Sequence, residues 1–195
     1  MIRVVCLLGS PRAGGNSDML AERFCGAAAQ AGAQIETFAL RDMQFQGYTT
    51  PQAATPYGPD DDLAPALAAI KTADLLVMST PIYFCNMTGL LKQAFDRFFC
   101  FFKPDYVTNP EPSVLGRNKA LVLLQAQGEG PERYGDLLDH YGPALDKLGF
   151  ARRDVIRACG VRAPGDLTAH PDILQSADTM ARQLVADLEG KRNEP

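Results

Sequence analysis

The stretch Val4-Val5-Cys6-Leu7-Leu8-Gly9-Ser10-Pro11-Arg12-Ala13-Gly14-Gly15-Asn16-Ser17-Asp18 decides the fold. It begins as a short apolar run and continues as a loop of small and hydroxyl-bearing residues. From about Ser17 the apolar residues recur with helical spacing, and Gly32 is the expected end of that helix. A strand that passes through such a loop into a helix is the opening unit of a parallel α/β sheet.

The same alternation of apolar runs and helical segments continues along the chain and predicts an α/β protein with five strands. Helices are expected over about Leu63–Thr72, from Thr88 to Phe98, over about Glu132–Leu148 with Gly149 as its end, and over Pro171–Leu188. The predicted strands are Ile2–Leu8, Gln34–Ala39, Asp74–Ser79, Ala120–Gln125 and Val155–Val161.

Length and composition predict one globular domain over residues 1–195, since 46% of the residues are hydrophobic and 22% are charged. The net charge of -4 and the lack of a dense basic run argue against nucleic acid as a partner. No apolar run reaches membrane-spanning length, so no membrane association is expected. The five cysteines are odd in number and widely spaced, which favours free thiols in a reducing compartment and therefore a cytoplasmic protein.

The loop after the first strand is suited to an anion, because the free backbone amides of a helix amino terminus point at one spot. A triphosphate-binding loop would need Lys after its second glycine, but Gly15 and Asn16 follow Gly14. The dinucleotide fingerprint is also absent, since Pro11 stands two residues after Gly9. A terminal monophosphate held by hydroxyls, amides and Arg12 fits the loop. The alternative is an ordinary helix start with Ser17 as its capping residue.

The loop after the third strand, Ser79-Thr80-Pro81-Ile82-Tyr83-Phe84-Cys85-Asn86-Met87-Thr88-Gly89, is apolar and aromatic where polar turn residues are usual. This composition favours a flat aromatic ligand packed against the loop, and equally a loop that a second subunit covers. After the fourth strand, Gln127-Gly128-Glu129-Gly130 would permit close approach of the backbone to a ligand.

Two motifs in this order, Gly9-Ser10-Pro11-Arg12 with Gly15-Asn16-Ser17, and Thr80-Pro81-Ile82-Tyr83-Phe84 with Asn86-Met87-Thr88-Gly89, resemble those of the flavodoxin-like NADPH-dependent FMN reductase family. The resemblance covers Arg3 to about Leu188. It implies a flavodoxin-like three-layer sandwich whose five-stranded parallel sheet has the order 2-1-3-4-5 and which binds FMN. It further implies that Ser10, Arg12, Asn16 and Ser17 hold the phosphate, that Pro81, Ile82, Tyr83, Phe84 and Asn86 line the isoalloxazine ring, and that Gln127 and Gly128 lie on its far side.

The chain is most similar to the branch that contains the iron-sulfur flavoproteins, but it lacks the cysteine motif of that branch. No cysteine occurs between Met43 and Asp62, so no cluster site is expected there. No other cysteine spacing indicates a metal site.

The resemblance implies an FMN-dependent oxidoreductase that takes hydride from NADPH or NADH and passes electrons to a small acceptor such as a quinone or free flavin. No side chain stands out as a catalytic acid, base or nucleophile, as expected where the cofactor supplies the chemistry. The alternative function is a non-catalytic FMN-binding electron carrier or flavin-sensing protein, which needs the same pocket.

Five of the ten phenylalanines lie between Phe95 and Phe102. A helix packed on a sheet needs one apolar stripe, whereas Phe98, Phe99, Phe101 and Phe102 are distributed around most of a helix. Exposed aromatic rings usually mark an interface, although the loop from Lys103 to Asn118 could instead cover them within one chain. Together with the family resemblance, the cluster predicts a homodimer, or a dimer of dimers, with Phe99 or Phe102 in the contact.

Overall fold

The computed structural model describes residues 1–48 and 60–193. Five long strands form a parallel sheet in the order β2-β1-β3-β5-β6, and the short β4 pairs antiparallel with β3. In the numbering of the five predicted strands, this is the order 2-1-3-4-5, so the predicted fold is confirmed. The strands are β1 (Arg3–Leu8), β2 (Gln34–Ala39), β3 (Leu75–Tyr83), β4 (Asn86–Met87), β5 (Lys119–Ala126) and β6 (Phe150–Ala158).

Helices cover both faces of the sheet, because alternate residues of the central strands are apolar on both sides. On one face, Val4 and Cys6 of β1 pack with the first and last helices, and on the other face Val5 and Leu7 pack with the second, third and fifth. The helices are α1 (Asn16–Gln30), α2 (Ala64–Thr72), α3 (Gly89–Asp96), α4 (Leu137–His140), α5 (Gly142–Leu148) and α6 (Pro171–Asn193). Within residues 1–48 and 60–193, none of these helices is both long and apolar enough to cross a membrane.

The helix predicted over Glu132–Leu148 is wrong in its first half. The chain forms a loop up to Asp136 and then two short helices, α4 and α5, which are separated by Tyr141, and α5 begins with Gly142-Pro143. Proline cannot donate a backbone hydrogen bond to the preceding turn, so the helix is interrupted there. Gly149 ends α5 in the left-handed conformation, with φ of 95°, as predicted.

Two strands differ from the prediction by more than one residue at an end, and the second of them, β6, also ends at Ala158 rather than Val161. β6 begins at Phe150 rather than Val155, because it lies at an edge of the sheet where polar residues can face solvent. β3 continues past Ser79 to Tyr83, through residues that were predicted as loop, and turns back into β4. The two turn residues, Phe84 and Cys85, have φ values of 47° and 66°, as a tight two-residue hairpin turn requires.

Candidate functional site

A cavity of about 400 Å³ opens at the carboxyl ends of the parallel strands, in the size range of small-molecule sites. Strand order reverses between β1 and β3, and parallel α/β sheets bind ligands beyond the strand ends at such a point. The predicted site residues all line the cavity except Phe84 and Asn86. The lining residues are Ser10, Arg12, Ala13, Gly15, Asn16, Ser17, Pro81, Ile82, Tyr83, Ala126, Gln127, Gly128, Glu129, Val161, Arg162 and Pro164.

The loop after β1 turns sharply against β3. The amide of Gly9 donates to the carbonyl of Ser79 at 2.7 Å, and a Cβ at Gly9 would lie only 2.9 Å from that carbonyl oxygen. Ser10 is buried, and its Oγ accepts from the amide of Arg12 at 3.1 Å and donates to the Arg12 carbonyl at 2.8 Å. The Ser10 hydroxyl therefore shapes the turn that carries Arg12 to the cavity.

Helix α1 begins without a side-chain cap. The residue that precedes the helix is Gly15, and Ser17 lies inside the first turn, so the interpretation of Ser17 as the capping residue is wrong. The first amides of a helix have no partner within the helix. Here they adjoin the cavity through Gly15, Asn16 and Ser17, where they can donate to an anion.

The side chain of Asn16 is engaged with the protein itself. Its Nδ2 donates to the carbonyl of Ala163 at 2.9 Å, while its Oδ1 accepts from the amides of Gly165 at 3.1 Å and Leu167 at 3.2 Å. These bonds tie the loop after β6 to the start of α1. The backbone amide of Asn16 and the second hydrogen of its Nδ2 are therefore the donors that it could offer to an anion.

Asp18 stabilises the loop between β1 and α1, Gly9–Gly15, which we call the anion loop. Its Oδ2 accepts from the amide of Gly14 at 3.0 Å and lies 2.9 Å from Nη1 of Arg41. Burial raises the pKa of this carboxyl group, and Arg41 and the Gly14 amide oppose that shift. Within the described part of the chain, Asp18 Oδ1 has no hydrogen-bond partner.

One wall of the cavity is formed by the end of β3. Pro81, Ile82 and Tyr83 are partly exposed along it, and Nη2 of Arg12 donates to the Tyr83 hydroxyl at 3.1 Å. This bond joins the anion loop to the apolar wall. Arg12 and the apolar wall of β3 therefore line one cavity.

The other two residues predicted for this wall lie outside the cavity lining. Phe84 is at the hairpin tip, and its side chain is fully exposed. Asn86 begins β4, and its Oδ1 accepts from the Tyr141 hydroxyl at 2.7 Å and from the amide of Met87 at 2.7 Å. The two-residue turn directs this part of the loop away from the cavity.

A second wall depends on Gln127, whose side chain is buried. Its Nε2 donates to the carbonyls of Gly130 at 2.8 Å and Arg133 at 3.1 Å, and its Oε1 accepts from Nε2 of Gln125 at 2.6 Å. Gln127 therefore sets the course of the loop beside the cavity. Gly128, the other residue predicted here, lies directly on the lining.

A third wall comes from the loop after β6, which was not predicted from the sequence. Val161, Arg162 and Pro164 line the cavity there. No motif marks these residues. The available signal was their position after the last strand of a parallel sheet, at the same edge as the other loops.

Comparison with known proteins shows which protein family this chain resembles. A family model described as NADPH-dependent FMN reductase matches residues 2–135. YwqN of Bacillus subtilis (strain 168), whose name describes an NAD(P)H-dependent FMN-containing oxidoreductase, is 25% identical over 192 residues, covering 95% of this chain and 99% of its own. The iron-sulfur flavoprotein MJ1083 of Methanocaldococcus jannaschii is 28% identical over 99 residues, covering 49% of this chain and 51% of its own.

Among solved structures, the NAD(P)H:quinone oxidoreductase from Methanothermobacter marburgensis has a similar fold. Its TM-score is 0.70 at 22% sequence identity, and the match covers 94% of this chain and 96% of that one. At this identity the likeness concerns the fold.

Proposed function

Because this chain belongs to the NADPH-dependent FMN reductase family, we propose that it is an FMN-dependent NAD(P)H oxidoreductase and that its FMN occupies the cavity described above. The observation that carries this proposal is the uncapped start of α1, at Gly15, beside Arg12 and within the same cavity as a flat apolar wall. The helix amides and Arg12 would bind the phosphate. Pro81, Ile82 and Tyr83 would pack against the isoalloxazine ring.

The residues present fit such a cofactor in charge and shape. Arginines at positions 12 and 162 and one acidic residue, Glu129, line the cavity, which suits an anionic ligand. The wall formed by β3 offers apolar surface to the ring, and the side chain of Arg162 covers Gly128 on the neighbouring loop. Ser10, Asn16 and Gln127 would act mainly by fixing the loops, since their side chains bond within the protein.

Bound FMN supplies the electrophilic ring that accepts hydride from the nicotinamide. The protein has to hold the ring, leave one face open to the donor, and orient both partners. We assign no side chain a proton-transfer role and no residue a metal. The electron acceptor in this proposal is a small molecule such as a quinone or free flavin, which would reach the ring from the open side of the cavity.

The first experiment measures flavin affinity. Replacing Arg12 with Ala removes a charged contact to the phosphate, worth about 1–3 kcal/mol, so FMN should bind about tenfold or more weakly while riboflavin is little affected. Arg182→Ala is the matched control, because that arginine lies on α6 and contacts Gln30. Equal FMN titrations of Arg12→Ala and the parent protein would show that the phosphate binds elsewhere.

The second experiment separates the enzyme from a flavin-binding carrier. The flavoprotein is mixed anaerobically with NADH or NADPH, and rapid bleaching of the flavin is expected with at least one donor. Failure with both donors would favour the carrier. The absorption spectrum and the iron content of the same sample are also measured. We expect flavin without iron, because Met43–Asp62 contains no cysteine.

Three further properties are part of this proposal. We propose a single domain over residues 1–195, supported by one sheet with an apolar core on each face of the described chain. A cytoplasmic location is supported by five cysteines that are all free. A homodimer, or a dimer of dimers, is supported by exposed aromatic rings near the end of α3, where Phe99 and Tyr48 are both exposed and their rings are in contact.

A further inference from the structure

Arg162 lies at the cavity but belongs to neither of the motifs that predicted the site. Its Nε donates to the carbonyl of Gly128 at 3.1 Å. A Cβ at position 128 would lie 2.9 Å from Cγ of Arg162, so the side chain lies directly over this glycine. Arg162 is therefore attached to the Gly128 loop, which lines the same cavity as Pro81 and Ile82.

The outer end of the Arg162 side chain keeps its hydrogen-bonding capacity. Within residues 1–48 and 60–193, its only side-chain bond is the one from Nε to Gly128. Glu129, which also lines the cavity, forms no ion pair with it there. The two terminal nitrogens of the guanidinium are therefore available to a ligand, and each can donate to a carbonyl or an anion.

The backbone that carries Arg162 is fixed from three directions. Asp166 Oδ2 accepts from the amides of Arg162 at 2.8 Å and Ala163 at 2.7 Å. The amide of Val161 donates to the carbonyl of Gln127 at 2.9 Å, and Asn16 holds the following residues against α1. Such preorganisation lowers the entropic cost of a contact between Arg162 and a ligand.

We propose that Arg162 binds the carbonyl edge of the flavin ring and stabilises the negative charge that the ring gains on reduction. This inference rests on the proposed position of FMN, with the phosphate at Ser10–Ser17 and the ring between β3 and Gly128. Hydride transfer moves two electrons and one hydrogen from NAD(P)H to the ring and leaves the nicotinamide as NAD(P)⁺. The ring would thereby gain one negative charge, which a nearby guanidinium would stabilise.

The proposal distinguishes Arg162 from Arg12 in function. Arg12 sits in the anion loop and should discriminate FMN from riboflavin, which lacks the phosphate. Arg162 should bind both flavins equally and should favour the reduced ring over the oxidised ring. It would therefore raise the midpoint potential of the bound flavin, which a purely structural residue would not do.

The test compares the parent protein with Arg162→Gln, Arg162→Lys and Arg12→Gln. For each protein, the affinities for oxidised FMN and riboflavin are titrated, and the midpoint potential of bound FMN is measured. We expect Arg162→Gln to lower the affinity for reduced FMN about tenfold more than that for oxidised FMN, with the FMN-to-riboflavin preference unchanged. Arg162→Lys should keep part of the rise in midpoint potential, because it keeps the positive charge. Arg12→Gln should lose the preference for FMN over riboflavin.

Two results would overturn the assignment of Arg162. One is an unchanged midpoint potential in Arg162→Gln, and the other is a selective loss of FMN over riboflavin, which would make Arg162 a phosphate ligand. Arg162 is exposed, so its replacement should leave folding intact, and a thermal melt checks this. A parent protein that binds no flavin would overturn the proposed function itself, and this inference with it.

Discussion

Asp166 stabilises the segment that carries Arg162, and it should do so in a pH-dependent way. The amides of Arg162 and Ala163 donate to its carboxylate and lower its pKa, and the nearby His170 acts in the same direction. A carboxylate with a lowered pKa in the folded state stabilises the protein above its unfolded pKa of about 3.9. That contribution is lost as the pH falls through the lowered pKa.

We therefore expect Asp166→Asn to be less stable than the parent protein near neutral pH, and the difference should diminish as the medium becomes more acidic than pH about 4. Denaturant unfolding of both proteins from neutral to acidic pH measures this difference. The Asp166→Asn variant serves as the reference, because its side-chain amide does not titrate in this range. Parallel pH profiles of the two proteins would show that the Asp166 carboxylate contributes nothing through its charge.

At the scale of single residues, the sequence predicted where the site lies better than what each side chain does. Arg12 lies in the loop after β1 and Ser17 in the first turn of α1, and both line the cavity. Asn16 was predicted to hold the phosphate, but its side chain bonds to residues about 150 positions away. Such long-range partners leave no local pattern. Arg162 was missed for the same reason, since only the sheet brings it to Gly128.

Two helix ends provide a matched pair for testing close packing of the backbone. Gly32 follows α1 and Gly149 follows α5, and both have φ of 95°. A Cβ at Gly32 would meet nothing within 4 Å, whereas at Gly149 it would lie 1.9 Å from the carbonyl oxygen of Gly116. Gly32→Ala therefore carries only the cost of the left-handed conformation, about 1–2 kcal/mol.

Gly149→Ala should cost about 1–3 kcal/mol more than Gly32→Ala, because the backbone at Gly116 must also move. The free energy of unfolding in urea, measured for both variants and the parent protein, checks this difference. Equal losses in the two variants would mean that the contact between Gly116 and Gly149 relaxes without cost.

At the scale of elements, hydrophobic periodicity predicted the strands well, because the buried central strands are nearly continuous apolar runs, whereas their order was implied by the family resemblance. It failed where local chemistry outweighed the pattern. Gly142-Pro143 interrupts a segment that otherwise has helical spacing. Pro81 and the following residues extend β3, although proline in a sequence usually indicates the end of a strand. The polar start of β6 is possible because this edge strand has a neighbouring strand on one side alone in the described sheet.

For the whole molecule, the aromatic segment after α3 separates into an inner and an outer set. Phe98 and Phe101 are buried in the core beneath the sheet. Phe99 is 40% exposed, and its ring contacts those of Phe102, at 5.6 Å between centroids, and Tyr106, at 5.4 Å. The loop after Phe102 therefore covers part of the outer set within one chain. The aromatic rings of the outer set are therefore less exposed to solvent than the sequence predicted. Phe99 and Tyr48 still form an exposed aromatic pair.

The proposed dimer uses this outer aromatic surface, formed by Tyr48, Phe99, Phe102 and Tyr106. Light scattering should return about twice the chain mass of 21.1 kDa, or four times that mass for a dimer of dimers. Phe99→Asp and Phe102→Asp should dissociate the assembly, because each would bury an unpaired carboxylate in the contact. Val155→Asp, on the edge strand β6, controls for an added charge on an exposed valine. A 21.1 kDa monomer at all dilutions would refute the dimer, whereas folded Phe99→Asp and Phe102→Asp proteins that keep the parent mass would place the contact on another surface.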